Sequence, residues 1–142
     1  MIEVLGRAAI ETALQANHRQ YLAGDLKLPQ DLEHLRDGEI EVGITDYAAY
    51  QWEKPHYHPL VTEYQFLLRG AAKYVDLDAG KEILVEAGDF FIIRPNTRYL
   101  QKSPAGTRIL FFKHPGGNDK TLVPLTEEMR RWCEAWENRW EN

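Results

Sequence analysis

From Glu39 to Lys113 the chain passes through eight short strand-like runs, each cut off by a turn signal. The runs are EIEVGITDY, AYQWE, EYQFLLR, AKYVDL, EILVEA, DFFIIR, TRYLQK and RILFFK. They are rich in β-branched and aromatic residues or alternate polar with apolar side chains, the period of a half-buried strand. Lys54-Pro55, Gly70, Asp78-Ala79-Gly80, Gly88-Asp89, Pro95-Asn96 and Pro104-Ala105-Gly106 stand between them. Strands this short and this evenly spaced cannot stand alone. They must close into a β-sandwich or barrel to bury their apolar faces.

The two ends read differently. RAAIETALQANHRQYL, residues 7–22, is dominated by good helix formers, and Gly24 follows as a stop. Residues 25–38 are mixed, with room for a short helical turn around Asp31–Leu35. TEEMRRWCEAWENRW reads as a second helix, with Thr126 as its cap and Glu127 and Glu128 at the positive end of its dipole. Met129, Trp132, Cys133, Trp136 and Trp140 fall near one stripe, which reads as docking on the barrel or, alternatively, as a dimer contact. The expected organisation is one domain: a helical extension over 1–38, a barrel over 39–124 and a C-terminal helix over 125–142.

Composition narrows the function classes. A net charge of −5 argues against a nucleic-acid partner, because no basic patch offsets it. A single cysteine, Cys133, excludes an internal disulfide and a Cys-based zinc site. The N-terminus lacks the apolar core of a signal peptide, and no stretch approaches membrane-spanning length. A cytoplasmic protein without a membrane partner is the expectation.

The chain has five histidines, and two of them fall in HYHPLVTE, residues 56–63. On a strand, residues i and i+2 point the same way, so His56 and His58 face together. Imidazoles are the commonest transition-metal ligands, and a carboxylate such as Glu63 completes many sites. After a turn at Pro59, Glu63, Gln65, Leu67 and Arg69 share one face. Tyr64, Phe66 and Leu68 share the other, which reads as the core face. Alternation also places Tyr50 and Trp52 together just before the histidines, as pocket wall or core.

HYHPLVTEYQFLLRG followed by GDFFIIRPNTRYLQ resembles the two motifs of the cupin superfamily. From the first histidine onward His56, His58, Glu63 and Gly70 match the first motif, while its leading glycine is replaced by Tyr50. The second motif is degenerate. Gly88 opens it, Arg94 stands at its proline position and Asn96 where glycine is usual. Tyr99 takes the place of its histidine, and Ser103 that of its asparagine. The resemblance covers residues 39–114. It implies an all-β fold, a double-stranded β-helix or RmlC-like cupin jelly-roll barrel, flanked here by an N-terminal and a C-terminal helix.

The resemblance also implies a site at the barrel mouth holding one divalent transition metal ion, Zn, Fe, Ni or Mn. His56, His58 and Glu63 would be its ligands, with Tyr99 or Gln101 as a fourth. Tyr99 off the metal would serve as a catalytic acid or base. Gln65, Tyr50, Trp52 and Arg98 are candidate substrate contacts. The implied function is Lewis-acid catalysis on a sugar or carboxylic acid, of isomerase, lyase or dioxygenase type. The alternative is a non-catalytic or metal-free module that senses a small ligand. A homodimer is the expected assembly. The glycine-rich run HPGGNDK, residues 114–120, reads as the exit loop from the barrel, and His18 and His34 as structural or exposed.

Overall fold

The computed structural model describes residues 1–141. The element order is α1 (Arg7–Ala16), β1 (Arg19–Gly24), β2 (Leu35–Arg36), β3 (Glu41–Asp46), β4 (Gln51–Tyr57), β5 (Thr62–Arg69), β6 (Ala71–Asp76), β7 (Lys81–Glu86), β8 (Phe90–Ile93), β9 (Tyr99–Ser103), β10 (Arg108–His114), β11 (Thr121–Leu122) and α2 (Glu127–Glu134). Two sheets face each other, in the orders β2-β1-β3-β10-β5-β8 and β11-β4-β9-β6-β7. The pairings are antiparallel except β1 with β2. This is the double-stranded β-helix that the resemblance to the cupin motifs implied, and one of the closed β architectures that the strand spacing allowed. No helix among the described residues is long and apolar enough to cross a membrane.

Inward residues divide the barrel into two zones. Leu67, Ala72, Tyr74, Val85, Ile93 and Ile109 fill one end as an apolar plug. Above them the same strands turn Glu63, Gln65 and Gln101 inward, all buried. The core face of β5 is therefore Glu63, Gln65 and Leu67. Tyr64, Phe66 and Leu68, expected as core, lie on the outer face with Phe90, which is 65% exposed. An apolar face need not be the inner one when the barrel interior holds a polar site.

The first helix is shorter than its composition suggests. It stops at Ala16, and Asn17 is already extended. Arg19–Gly24 become β1, paired antiparallel with β3. The helix propensity of this stretch gives way to a sheet ladder and to Gln20, which is fully buried. The Gln20 amide donates to Ala13 O at 3.1 Å and accepts from Leu32 N at 3.1 Å, tying helix, strand and loop together. Residues 31 and 32 form a bend and 33–34 are irregular, so no helical turn forms there, and β1 and β2 bring part of the expected helical extension into the barrel.

At the other end Thr126 caps α2, accepting a hydrogen bond from Met129 N. The helix ends at Glu134 rather than continuing through the tryptophans. Lys102, fully buried on β9, sends its ammonium to the carbonyls of Trp132, Ala135 and Asn138, each at 2.8 Å. This binds the end of α2 and the turn after it to the sheet, a cation at the negative end of the helix dipole. Trp132 and Cys133 pack on Val75 and Leu100, with Met129 and Trp140 at the margin. The stripe docks on the barrel as the spacing implied. Asn142, the last residue of the expected helix, lies outside the described residues.

Candidate functional site

The site begins with an irregularity in β4. Lys54-Pro55 reads as a turn, but Pro55 is buried inside the strand. Proline has no N–H to give to a ladder, and sheets accommodate it at bulges. The pairing of β4 with β9 slips between Glu53 and His56. The extra residue shifts the phase of alternation by one. Counting back from His56 by twos leads to Tyr50 and Trp52, yet the bulge turns Glu53 inward in their place. Glu53, His56 and His58 line a cavity of about 790 Å³ at the open end of the barrel.

Glu63, Gln65, Tyr99 and Gln101 line the same cavity, so the sequence motifs converge on it. The structure places Tyr50, Trp52 and Arg98 elsewhere. Tyr50 donates its hydroxyl proton to Cys133 O at 2.6 Å and so fastens α2. Trp52 is on the outer face, 36% exposed, and Arg98 pairs with Asp78 at 2.6 Å on the surface.

Both histidines use Nδ1 as an anchor. His56 Nδ1 donates to Lys54 O at 2.8 Å, because a carbonyl only accepts. Its Nε2 is then an acceptor, and Tyr99 donates its hydroxyl proton to it at 2.9 Å. Burial pushes the His56 imidazole down to about 4, so it is neutral near pH 7. Burial also raises the Tyr99 phenol well above its ordinary value, keeping the proton on oxygen.

His58 is arranged differently. Its Nδ1 donates to Asp119 Oδ1 at 2.7 Å. The other carboxylate oxygen of Asp119 accepts from Leu60 N at 2.8 Å and Val61 N at 3.1 Å. Desolvation alone would raise this carboxyl, but the two backbone donors and His58 outweigh it and hold it below the ordinary value. His58 O accepts from Asn96 N at 2.8 Å, and Asn96 takes the left-handed φ of 65° that the second motif needs at this turn. Among the described residues, His58 Nε2 makes no hydrogen bond.

Further residues join the site, in the cavity wall or behind it, without a signal in the motifs. Asp119 came from HPGGNDK, where the acid two residues past a glycine pair was the only hint. Arg19 reaches in from β1 and ion-pairs with Glu53, while its Nε donates to Thr45 Oγ1 at 2.9 Å. Burial would raise the Glu53 carboxyl, but the Arg19 charge overcomes it and the net shift is downward. Tyr74 donates to Gln65, whose amide in turn donates to Glu63, a polar ladder along the floor. Gln101 donates to Tyr47 Oη at 3.2 Å and to Ser103 Oγ at 3.3 Å.

The anchored Nδ1 groups are what a metal-binding imidazole needs, since the second nitrogen must be fixed as N–H. The remainder of the donor set does not assemble. Among the described residues no three His, Cys, Asp or Glu side chains are grouped so as to hold a metal ion. His56 Nε2 already accepts the Tyr99 proton, and Glu63 accepts from Gln65.

The Cupin domain family matches residues 43–116, just over half of the chain, and the protein belongs to it. No curated protein matches this chain. Solved structures similar in fold include the polyketide cyclase RemF from Streptomyces resistomycificus, 14% identical over 96% of both chains, TM-score 0.62. The Streptomyces nucleoside dehydratase Pac13 is 14% identical over 61% of this chain and 70% of its own, TM-score 0.52. A double-stranded β-helix protein from Klebsiella pneumoniae is 20% identical over 63% of this chain and 78% of its own, TM-score 0.53. These likenesses establish the fold.

Proposed function

We propose that this cupin is an enzyme that moves a proton on a small polar organic molecule held in the barrel, of isomerase, lyase or cyclase type. The carrying observation is the His58 imidazole, whose Nδ1–H is fixed on Asp119 while Nε2 lines the cavity without a protein partner. That pairing makes Nε2 the basic nitrogen and lets the carboxylate balance the charge after it takes a proton. In the proposed step, His58 Nε2 accepts a proton from a carbon next to a carbonyl. The C–H electron pair forms the new C=C bond, and the carbonyl pair moves onto oxygen. Return of the proton to another carbon isomerises the substrate, and loss of a β-substituent completes an elimination.

Tyr99 does not supply the first proton. Its hydrogen is committed to His56, so its lone pairs face the cavity as acceptors for a substrate hydroxyl. Gln65 and Gln101 add amide groups for further polar contacts. A polyketide cyclase and a nucleoside dehydratase among the proteins of similar fold are compatible with a small-molecule enzyme.

Exchange in D2O tests the reading. The protein is incubated with small hydroxyaryl ketones, keto acids and aldoses, and loss of the proton signal next to the carbonyl is followed by NMR. The expected result is exchange of at least one compound by the wild type and none by His58→Gln. Equal exchange by both proteins would sink the proposal.

A second reading is favoured by the anchored Nδ1 groups of both imidazoles. In it, His56, His58 and Glu63 would hold a divalent transition metal, which would supply Lewis acidity. Elemental analysis of purified wild type and His58→Ala decides. A stoichiometric metal lost in the variant would replace the first reading with the second.

A further inference from the structure

Lys113 is an unusual residue for the wall of this cavity. It lies on β10, where Ile109, Phe111 and Lys113 are the buried, inward residues. Only 8% of it is exposed. Its ammonium can donate three hydrogen bonds. Among the described residues it makes one, to Tyr21 Oη at 3.3 Å. Glu41 Oε2 is 3.7 Å away, beyond hydrogen-bond reach, and Glu41 Oε1 is already taken by Gly117 N at 2.9 Å. A buried cation with its donors unfilled is costly unless something completes them.

The other cavity-lining cations are differently placed. Arg19 is committed to Glu53 and Thr45. Lys27 is exposed and pairs with Asp25 at 3.3 Å, and Lys120 is exposed. Around Lys113 the wall is aromatic. Its Nζ lies 5.4 Å from the Tyr21 ring centroid and 5.6 Å from that of Phe111. Those two rings meet edge to face at 5.4 Å. The result is a corner of two nearly perpendicular rings with a positive charge beside it. Nearby carboxylates and the Tyr21 oxygen offset the burial penalty, so the Lys113 amine is raised from its ordinary value and stays charged.

We infer that Lys113 is the substrate anchor of the cavity, and that the substrate is a planar unsaturated molecule bearing an anionic oxygen, which fills the free donors of Lys113 while its flat face lies on one of the Tyr21 and Phe111 rings and its edge meets the other. The inference rests on the reading that this cavity binds the substrate. It gives that reading a class: aromatic or conjugated carboxylates and enolates rather than neutral sugars. An ammonium at the oxygen would also favour charge developing there when a neighbouring carbon loses its proton.

NMR titration with benzoate, benzamide and cyclohexanecarboxylate tests it. Benzoate is expected to bind the wild type at least tenfold more tightly than either of the others, and to lose at least tenfold in Lys113→Met. Benzamide or cyclohexanecarboxylate binding as well as benzoate would overturn the assignment. So would benzoate affinity unchanged in the variant, or no benzoate binding up to its solubility. If Lys113→Met does not fold, the double variant Glu41→Gln with Lys113→Met removes both charges of the pair and must show the same loss. Lys27→Met, which removes an exposed cation at the rim, must keep benzoate affinity within about threefold. An equal loss there would make the attraction a diffuse charge effect and overturn the role of Lys113. Benzoate binding that depends on Lys113, with no proton exchange on any ketone, would overturn only the proton-transfer reading.

Discussion

His56 and His58 stand two residues apart and open onto one cavity, with ring centroids 5.3 Å apart. Their anchors give them opposite characters. His56 leans on a neutral backbone carbonyl and receives the Tyr99 proton, and burial leaves it a weak base. His58 leans on a carboxylate that two backbone donors hold ionised, and its Nε2 has no partner among the described residues. The difference teaches that the role of a histidine is written in the partner of its other nitrogen. A His-x-His motif does not specify that partner.

The largest effect expected from this contrast is on exchange. His58→Gln should lower the rate of carbonyl-adjacent proton exchange by roughly 10³-fold with little change in Tm, because it removes the general base. His56→Gln should cost less than about tenfold in rate under the same assay, since His56 holds structure and does not take the proton. Equal losses in the two variants would erase the distinction.

The next effect is on stability in acid. The unfolded chain protonates His56 below its ordinary value of 6.5, while the folded protein resists protonation down to about 4. The folded state therefore loses stability as pH falls across that window, by up to about 3 kcal/mol at 1.36 kcal/mol for each pH unit. Urea unfolding of metal-free protein at several pH values between 7 and 4 should show the loss in wild type and a smaller one in His56→Gln.

Asp119→Asn should reduce exchange by about 10²-fold, because the amide no longer stabilises the imidazolium or fixes the tautomer of His58. The smallest effect is expected from Tyr99→Phe. It leaves His56 Nε2 without its donor in a buried setting, a cost of about 1–3 kcal/mol in stability by chemical denaturation.

Much of the fold was legible along the chain. The turn signals partition the strands nearly as observed, and Thr126 and the tryptophan stripe act as their positions imply. Three features were not. Arg19–Gly24 carries helix-forming residues, but a sheet edge on β3 and a burial place for Gln20 outweigh local propensity. Lys54-Pro55 reads as a turn because proline breaks ladders, yet a bulge absorbs it within the strand. The polar lining of the barrel inverted the assignment of faces on β5, since hydrophobicity alone names the apolar face as core. The site was legible in its motif residues and silent on Asp119, Arg19, Glu53 and Lys113. These come from a loop and three strands, and nothing in sequence spacing links positions 19, 53, 113 and 119.

The sequence carried the closed β architecture and the pairing of His56 with His58 on one side of the chain, and its resemblance to the cupin motifs implied that Glu63 and either Tyr99 or Gln101 would join them. Period-two alternation and turn chemistry are local, and they act wherever the residues occur. Only the tertiary structure decided which of Trp52 and Glu53 faces inward, because one extra residue at Pro55 reverses a strand's phase. It alone decided which histidine keeps a free nitrogen. That depended on Asp119 arriving from a loop sixty-one residues away, and hydrogen bonds over such a separation exist only once the chain has folded.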